Sequence, residues 1–208
     1  MIILDIVVTL FLFFLFAVSH TFLASGSMKK RLSEKLGPQI AFYRVFYNIS
    51  SFLILAIVIF IAPKPDIVVY DLQYPFDIIT FALQIISLLG LIWAVKFIDI
   101  KEFLGISQIE RYLQGTYTVG DLDERMIFNS AGAFNLCRHP TYFFSFLFLA
   151  FRPTMSFFYA EFVIYTAIYF YIGSIFKERK LIERFGEKYK KYQKRVPRIL
   201  PIRLRKRY

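Results

Sequence analysis

The sequence alternates long apolar segments with short polar ones. Five segments carry few charged side chains: Ile2–Ala24, Ala41–Ala62, Phe76–Ile98, Thr141–Phe151 and Phe157–Phe176. Four of them reach the roughly 20 residues that a helix needs to cross a hydrocarbon core of about 30 Å. Thr141–Phe151 is shorter, about 17 Å of helix at 1.5 Å per residue, so its helix either begins upstream or turns back within the protein. The pattern predicts an all-α polytopic membrane protein with five transmembrane helices.

The polar segments between these spans predict the orientation in the membrane. Gly26–Gly37 is a short connector rich in lysine and arginine, whereas Pro63–Pro75 has prolines and a single lysine. Because basic loops stay on the cytoplasmic side, we expect the N-terminus outside and the C-terminus in the cytoplasm, in the inner membrane if the cell is prokaryotic. The long segment Asp99–Cys137 predicts an interfacial helix at about Ile100–Leu113. We expect residues 1–208 to form a single membrane-embedded domain, whose N-terminal region, residues 1–98, contains three helices.

The positive charge is concentrated at the end of the chain. The segment Lys177–Tyr208 has 14 lysines and arginines and three acidic residues, and so carries the entire net charge of +11. Beside apolar spans, this charge favours a cytoplasmic flank that attracts the anionic headgroups of the lipid bilayer, and no nucleic acid partner is expected. Apolar and aromatic residues recur there at helical spacing, which predicts a cytoplasmic helix that extends the fifth span, with this stripe packed at the lipid interface. The stripe comprises Leu181, Phe185, Tyr189 and Tyr192.

The composition excludes several classes of site. Hydrophobic residues make up 57% of the chain, too many for one water-soluble core, and the single cysteine excludes an internal disulfide bond. Two histidines without a zinc-binding motif predict that no metal is bound. Neither a GxGxxG nor a P-loop motif occurs, which argues against a soluble-type nucleotide site and against a reductase.

Polar residues gather at the start of the fourth apolar segment. The sequence from Arg138 to Tyr142 is Arg-His-Pro-Thr-Tyr, and proline favours the first position of a helix because it has no N–H to leave unpaired there. A snorkelling arginine and an interfacial histidine would explain this segment by itself. Forty residues later, Glu178 lies among cations near the membrane end of the fifth span, where a fixed cationic partner would stabilise it.

Together these segments resemble the isoprenylcysteine carboxyl methyltransferase superfamily. The resemblance covers roughly Met126–Pro201, through Gly-Ala-Phe-Asn-Leu-Cys-Arg-His-Pro-Thr-Tyr ending at Tyr142, then Glu178, then Phe-Gly-Glu-Lys-Tyr-Lys-Lys-Tyr ending at Tyr192. The N-terminal half is more similar to the NnrU-like and methanethiol S-methyltransferase-like branch, through Ser-His-Thr-Phe-Leu-Ala-Ser and Tyr-Arg-Val-Phe-Tyr-Asn.

The resemblance implies a membrane methyltransferase that uses S-adenosyl-L-methionine, bound within residues 126–201. Glu178 is implied to serve the charged end of this cofactor. Aromatic faces, a carboxylate and helix N–H groups suit a sulfonium, an ammonium and a carboxylate. The other implied cofactor contacts are Met126, Ile127, Phe128, Asn129, Phe134, His139, Pro140, Thr141 and Tyr142.

Three departures from the family pattern bear on the acceptor. The family's tyrosine is phenylalanine at Phe134, one member of its acidic pair is Lys177, and its substrate-binding arginine is glycine at Gly173. Without that arginine a carboxylate substrate loses its anchor, so a small or lipophilic acceptor, preferably a thiol, fits better. We assign Arg138 as the catalytic residue that would favour the thiolate by its charge. Two alternatives stay open: a non-catalytic NnrU-like accessory or scaffold protein, and carboxyl methylation of a prenylcysteine-type substrate.

Overall fold

The computed structural model describes residues 1–120, 122–123, 125 and 128–202. These form helices and one small sheet, grouped in two compact units: Met1–Lys64 with Asp99–Ile127, and Pro65–Ile98 with Phe128–Tyr208. In chain order, the elements are α1 (Ile2–Ala24), α2 (Gly26–Leu36), α3 (Tyr43–Ile61), β1 (Val68–Asp71), α4 (Phe76–Val95), α5 (Ile100–Leu104), α6 (Ile106–Leu113), α7 (Pro140–Ala150), β2 (Thr154–Ser156), α8 (Phe157–Phe185) and α9 (Glu187–Arg195). Two 3₁₀ segments, Gly37–Phe42 and Gly132–Asn135, precede α3 and α7.

Four helical segments among the described residues are long and apolar enough to cross a membrane. They are Ile2–Ala24, Gly26–Ile61, Phe76–Val95 and Phe157–Phe185. Large apolar side chains on them face outward; Phe60, for example, is 84% exposed. Helix α7 has only 11 residues, about 17 Å, which is shorter than the hydrocarbon core. The chain therefore has the helices of an integral membrane protein, but the predicted count of five spans is not confirmed.

In the first unit, polar side chains join helices α1 and α3. The His20 imidazole makes two hydrogen bonds with α3: Nδ1 lies 2.9 Å from the Ser51 hydroxyl, and Nε2 lies 2.6 Å from the Tyr47 hydroxyl. Polar pairs of this kind fasten helices to each other where lipid offers no partners. These bonds therefore give His20 a role in helix packing.

The same unit differs from the sequence prediction at two connectors. The basic connector before α3 is helical over Gly26–Leu36. The predicted interfacial helix is divided into α5 and α6 at Gly105, whose φ of 94° lies in the left-handed region that glycine tolerates best. Side chains of α3 bind the carbonyl groups freed at this break: Arg44 Nε donates to Phe103 O at 2.8 Å, and Asn48 Nδ2 to Leu104 O at 3.1 Å.

The second unit contains a two-stranded antiparallel sheet, which the all-α prediction did not include. Strand β1 precedes α4 and strand β2 precedes α8, with Tyr70 opposite Met155 and Asp71 opposite Thr154. Thr154 Oγ1 donates a hydrogen bond of 2.6 Å to Asp71 Oδ1. Helices α4 and α7 pack closely: the Phe144 ring lies so near Gly90 that a Cβ there would be only 2.3 Å from it. The sheet and this helix pair hold the beginnings of α7 and α8 within one unit.

The predicted cytoplasmic extension of the fifth span consists of the last part of α8 and a separate helix, α9. Helix α8 ends at Phe185, and Gly186, whose φ is 53°, separates it from α9, which begins at Glu187. The stripe does not pack on lipid: Tyr189 and Tyr192 are buried, and with Val196 they form a core cluster. Leu181, Ile182, Phe185, Phe128 and Phe134 pack against this cluster. The glycine changes the direction of the chain, so α9 folds its aromatic side onto protein.

Candidate functional site

A buried carboxylate lies at the centre of the candidate site. Glu178, on α8, is 2% exposed. Its Oε1 accepts from Arg138 Nε at 2.8 Å and lies 3.1 Å from His139 Nε2. Its Oε2 accepts from Arg138 Nη2 at 3.2 Å, Gln193 Nε2 at 2.8 Å and Arg198 Nη2 at 3.4 Å. A carboxylate has about four lone-pair positions, so these donors occupy its hydrogen-bonding capacity.

Arg138 is as fully engaged as its partner. Besides the two bonds to Glu178, its Nη1 donates to the backbone carbonyls of Gln193 at 2.9 Å and Val196 at 3.2 Å. A two-point arginine–carboxylate pair is stronger and more directional than a single charged hydrogen bond. The side chain of Arg138 is 9% exposed and that of Glu178 is 3% exposed. The arrangement keeps a charged pair out of water because almost every polar atom has a partner.

Backbone hydrogen bonds strengthen this contact. Arg138 N donates to Pro197 O at 2.8 Å, and His139 N donates to Arg198 O at 3.0 Å. We call this set of side-chain and backbone bonds the Arg138–Glu178 clasp. It joins the start of α7, the C-terminal third of α8 and the segment after α9. Residues about 40 positions apart in the sequence therefore meet, as the sequence predicts for a shared site.

His139 is buried and neutral. A carboxylate only accepts hydrogen bonds, so the contact with Glu178 places the imidazole proton on Nε2 and leaves Nδ1 as an acceptor. Burial lowers the pKa of His139, and this effect outweighs the Glu178 hydrogen bond, which acts in the opposite direction. At neutral pH the ring therefore offers one acceptor nitrogen and two aromatic faces.

One of these faces begins a stack of three rings. Tyr142 stacks on His139 with a centroid separation of 5.3 Å and on Phe170 of α8 at 4.6 Å, and the planes are 10° and 6° apart. Offset stacking of this kind fixes the plane of each ring. The Tyr142 hydroxyl lies 4.0 Å from where a Cβ at Gly173 would be. The absence of a side chain at Gly173 therefore leaves space beside this hydroxyl.

The N-terminus of α7 starts inside the clasp. Pro140 occupies the first helical position and is under 2% exposed, and His139 is the N-cap residue. The N–H groups of Thr141 and Tyr142 lie in the first turn, where a helix offers no internal acceptor. Such N–H groups suit an anionic ligand group. Thr141 and Tyr142 thus contribute backbone donors as well as side chains to the candidate site.

The predicted aromatic contacts belong to the cluster around α9. Phe128 lies edge-on to Tyr189 at 6.2 Å and to Tyr192 at 5.5 Å. Phe134 packs on the same cluster, and its carbonyl accepts a hydrogen bond of 2.6 Å from the Tyr192 hydroxyl. Phe128 and Phe134 therefore form an aromatic wall on α9, whose Gln193 also binds the clasp.

The remaining predicted residues have other surroundings. Asn129 donates from Nδ2 to Phe97 O at 3.2 Å and accepts at Oδ1 from Ala131 N at 2.9 Å, so its amide supports its own loop. Met126 and Ile127 lie outside the described residues. Cys137 is buried, and burial raises the pKa of its thiol to about 11, which keeps it protonated at neutral pH.

Three residues of the site were not predicted from the sequence. Gln193 and Arg198 bind Glu178 directly, and Tyr189 is buried beside the clasp although its spacing places it in a lipid-facing stripe. A polar Gln193 next to Tyr192 on an amphipathic helix was the available signal for the first. Nothing in the spacing distinguishes Arg198 from the other cations of the tail.

Comparisons with known proteins identify relatives along almost the full length of the chain. No protein-family model and no solved structure matches the sequence, so the superfamily resemblance stays a prediction. The chain is 27% identical over 199 residues to a methanethiol S-methyltransferase of Pseudomonas deceptionensis, covering 95% of this chain and 73% of that protein. It is 26% identical over 206 residues to methanethiol S-methyltransferase 1 of Bradyrhizobium diazoefficiens, covering 95% and 67% respectively. The chain is thus similar, over about 95% of its length, to curated proteins named methanethiol S-methyltransferase.

Proposed function

We propose that this protein is an integral membrane methyltransferase that uses S-adenosyl-L-methionine to methylate a small thiol. The similarity to proteins named methanethiol S-methyltransferase over about 95% of the chain carries this proposal. The clasp supports it, because His139, Tyr142 and Glu178, which the family resemblance implies as cofactor contacts, lie together in one buried cluster.

The residues present suit most portions of this cofactor. The first-turn N–H groups of Thr141 and Tyr142 would hold its carboxylate, and the rings of Phe128, Phe134 and Tyr142 would pack on its adenine and sulfonium. Its ammonium fits less simply, because the Glu178 carboxylate is already occupied. Arg198 makes the longest of these contacts, at 3.4 Å, from a side chain that is 33% exposed. The ammonium would replace Arg198 at this position.

When bound, S-adenosyl-L-methionine supplies an activated methyl group, and the protein's task is to orient the acceptor and exclude water. The stack of His139, Tyr142 and Phe170 fixes one wall, in which neighbouring ring planes are within 10° of each other. Holding two reactants in line and away from water can supply about 7–11 kcal/mol of the barrier. We assign no side chain as a general base for the thiol proton.

Arg138 has a positioning role in this proposal. Its charge is balanced by Glu178, and its Nη1 is bound to two carbonyls, so little of its field is left for a thiolate. It instead fixes His139 at the entrance to α7. Arg138→Lys distinguishes the two roles, because lysine keeps the charge but cannot form the two-point pair. A lysine variant with full activity would favour the electrostatic role, and one as impaired as Arg138→Ala would favour positioning.

Gly173 supports a small, uncharged acceptor. A Cβ there would lie 4.0 Å from the Tyr142 hydroxyl and within 4 Å of no other described atom, so the residue adds neither bulk nor charge. A carboxylate substrate would find no cation at this position. We therefore place the acceptor thiol beside Gly173, next to the Tyr142 hydroxyl.

The membrane setting belongs to the proposal. The side of α9 away from the buried tyrosines has three exposed lysines: Lys190, Lys191 and Lys194. Such a face attracts anionic headgroups by about 1 kcal/mol per lysine near the surface. We place α9 against the cytoplasmic leaflet, with the N-terminus outside, in the inner membrane if the cell is prokaryotic.

The test combines binding and transfer with the purified full chain in detergent. Calorimetry measures the affinity for S-adenosyl-L-methionine, and a methyl-labelled donor is then incubated with methanethiol, a prenylcysteine and phospholipid. We expect labelled dimethyl sulfide, and less of it from Glu178→Ala than from the exposed-site control Glu187→Ala. Absence of binding would leave the accessory protein as the better hypothesis. Label in the prenylcysteine ester would replace the thiol with the carboxylate acceptor.

A further inference from the structure

Two buried tyrosines on one face of α9 differ in the hydrogen bonding of their hydroxyl groups. Tyr189 and Tyr192 are 2% and 3% exposed, and their rings lie 5.7 Å apart. The Tyr192 hydroxyl donates to Phe134 O at 2.6 Å. The Tyr189 hydroxyl is buried and makes no hydrogen bond with any described residue. Buried hydroxyl groups nearly always have a partner, and leaving one unpaired is costly. The Tyr189 hydroxyl therefore calls for a partner from outside the described chain.

The surroundings of this hydroxyl define what the partner can be. Burial, and then the nearby charge of Glu178, raise the pKa of Tyr189, so the phenol stays protonated and acts as a donor. The partner must be an acceptor. A carboxylate is disfavoured, because Glu178 affects this hydroxyl more strongly than any other charged group does. A neutral acceptor such as a ring nitrogen or a sugar oxygen is compatible with that field.

The neighbouring side chains favour a nucleoside. The Phe128 ring lies edge-on to the Tyr189 ring with their centroids 6.2 Å apart, and Phe134 and Phe185 pack on the same cluster. Aromatic walls around one neutral donor are suited to a purine, which stacks on rings and offers acceptor nitrogens at its edge. The clasp adjoins this cluster through Gln193, which binds Glu178. A nucleoside here would lie next to the residues assigned to the charged end of the cofactor.

We propose that the Tyr189 hydroxyl donates a hydrogen bond to the adenosine portion of the methyl donor; this inference rests on the proposed function. The hydroxyl is closed to solvent, so the ligand reaches it when α9 shifts. We place the pivot of this shift at Gly186, which joins α8 to α9 with a φ of 53°.

The matched variants Tyr189→Phe and Tyr192→Phe test the assignment. Each is prepared as the full chain in detergent, and calorimetry measures the binding of S-adenosylhomocysteine and of methylthioadenosine, which lacks the amino-acid end. Tyr189→Phe should weaken both ligands by about tenfold, the effect of one lost hydrogen bond. Without ligand it should melt no lower than wild type, because it loses only an unpaired hydroxyl. Tyr192→Phe should melt lower, because Phe134 O loses its donor.

Three results would overturn the inference while the proposed function stands. They are equal affinities of wild type and Tyr189→Phe for both ligands, weaker binding of S-adenosylhomocysteine alone, and a lower melting temperature of Tyr189→Phe without ligand. The second would place the contact on the amino-acid end, and the third would reveal a partner within the protein. Failure of the wild type to bind either ligand would instead refute the proposed function and this inference with it.

Discussion

Removing the Glu178 carboxylate is the most direct test of the clasp. In Glu178→Ala, the Arg138 guanidinium stays buried with its Nη1 bonds but without a counter-ion, and His139, Gln193 and Arg198 each lose an acceptor. Breaking a buried ion pair from one side costs about 3–5 kcal/mol of unfolding free energy. For a chain of 208 residues, this corresponds to a fall in melting temperature on the order of 10 °C.

The fluorescence of Trp93, the single tryptophan, can follow melting of the purified protein in detergent. Glu187→Ala is the matched control, since Glu187 is exposed and its ion pair is with Lys190, also exposed; it should melt like wild type. The double variant Arg138→Met with Glu178→Leu should be more stable than Glu178→Ala, because it removes both charges of the buried pair. A melting temperature of Glu178→Ala within about 2 °C of wild type would show that the clasp does not stabilise the fold.

Substitutions at three further residues test the charge state of His139, the packing of α4 on α7 and the position of the acceptor. Burial lowers the pKa of His139 below its usual 6.5, so the unfolded chain binds a proton at a higher pH than the folded chain does. The stability contributed by the neutral, buried His139 is therefore present above about pH 6.5 and is lost as the pH falls through the folded-state pKa. Melting temperatures of wild type and His139→Phe, measured between about pH 5 and 8, should converge at the acidic end. Gly90→Ala brings a Cβ to within 2.3 Å of the Phe144 ring and should lower the unfolding free energy by about 1–3 kcal/mol in denaturant melts. The control Gly26→Ala, where no described atom lies within 4 Å of the new Cβ, should leave the unfolding free energy unchanged. Equal unfolding free energies of the two variants would disprove the close packing of α4 on α7. Gly173→Ala should retain methyl transfer and Gly173→Phe should lose it with cofactor affinity unchanged, and an active phenylalanine variant would move the acceptor elsewhere.

The site could be predicted only to a limited extent. Arg138 and His139 before a helix-starting proline, and Glu178 at the membrane end of a span, were recognisable because charged groups beside apolar segments need partners. Their meeting is confirmed by bonds of 2.8 and 3.1 Å. The full set of hydrogen-bond donors around the Glu178 carboxylate could not be predicted, because it depends on how the chain turns after α9. That turn brings Arg198 and the carbonyl of Pro197 back to the start of α7.

The contacts of the aromatic stripe also depend on the path of the folded chain. Helical spacing correctly grouped Leu181, Phe185, Tyr189 and Tyr192, since a 3.6-residue period depends only on local geometry. Spacing does not specify what an apolar face will contact. Gly186 ends α8 with a positive φ, and this one backbone torsion directs the stripe onto Phe128 and Phe134.

The apolar helices, their approximate ends and the concentration of charge in the tail are specified locally, because hydrophobic length, proline and charge act over a few neighbouring residues. The pairing of polar atoms depends on the folded chain. Distant segments must meet before Arg138 finds Glu178, before Tyr192 finds Phe134 O, and before Tyr189 is left buried with a hydroxyl that no described residue pairs. Hydrogen bonds act over about 3 Å, so their partners depend on the path of the whole chain.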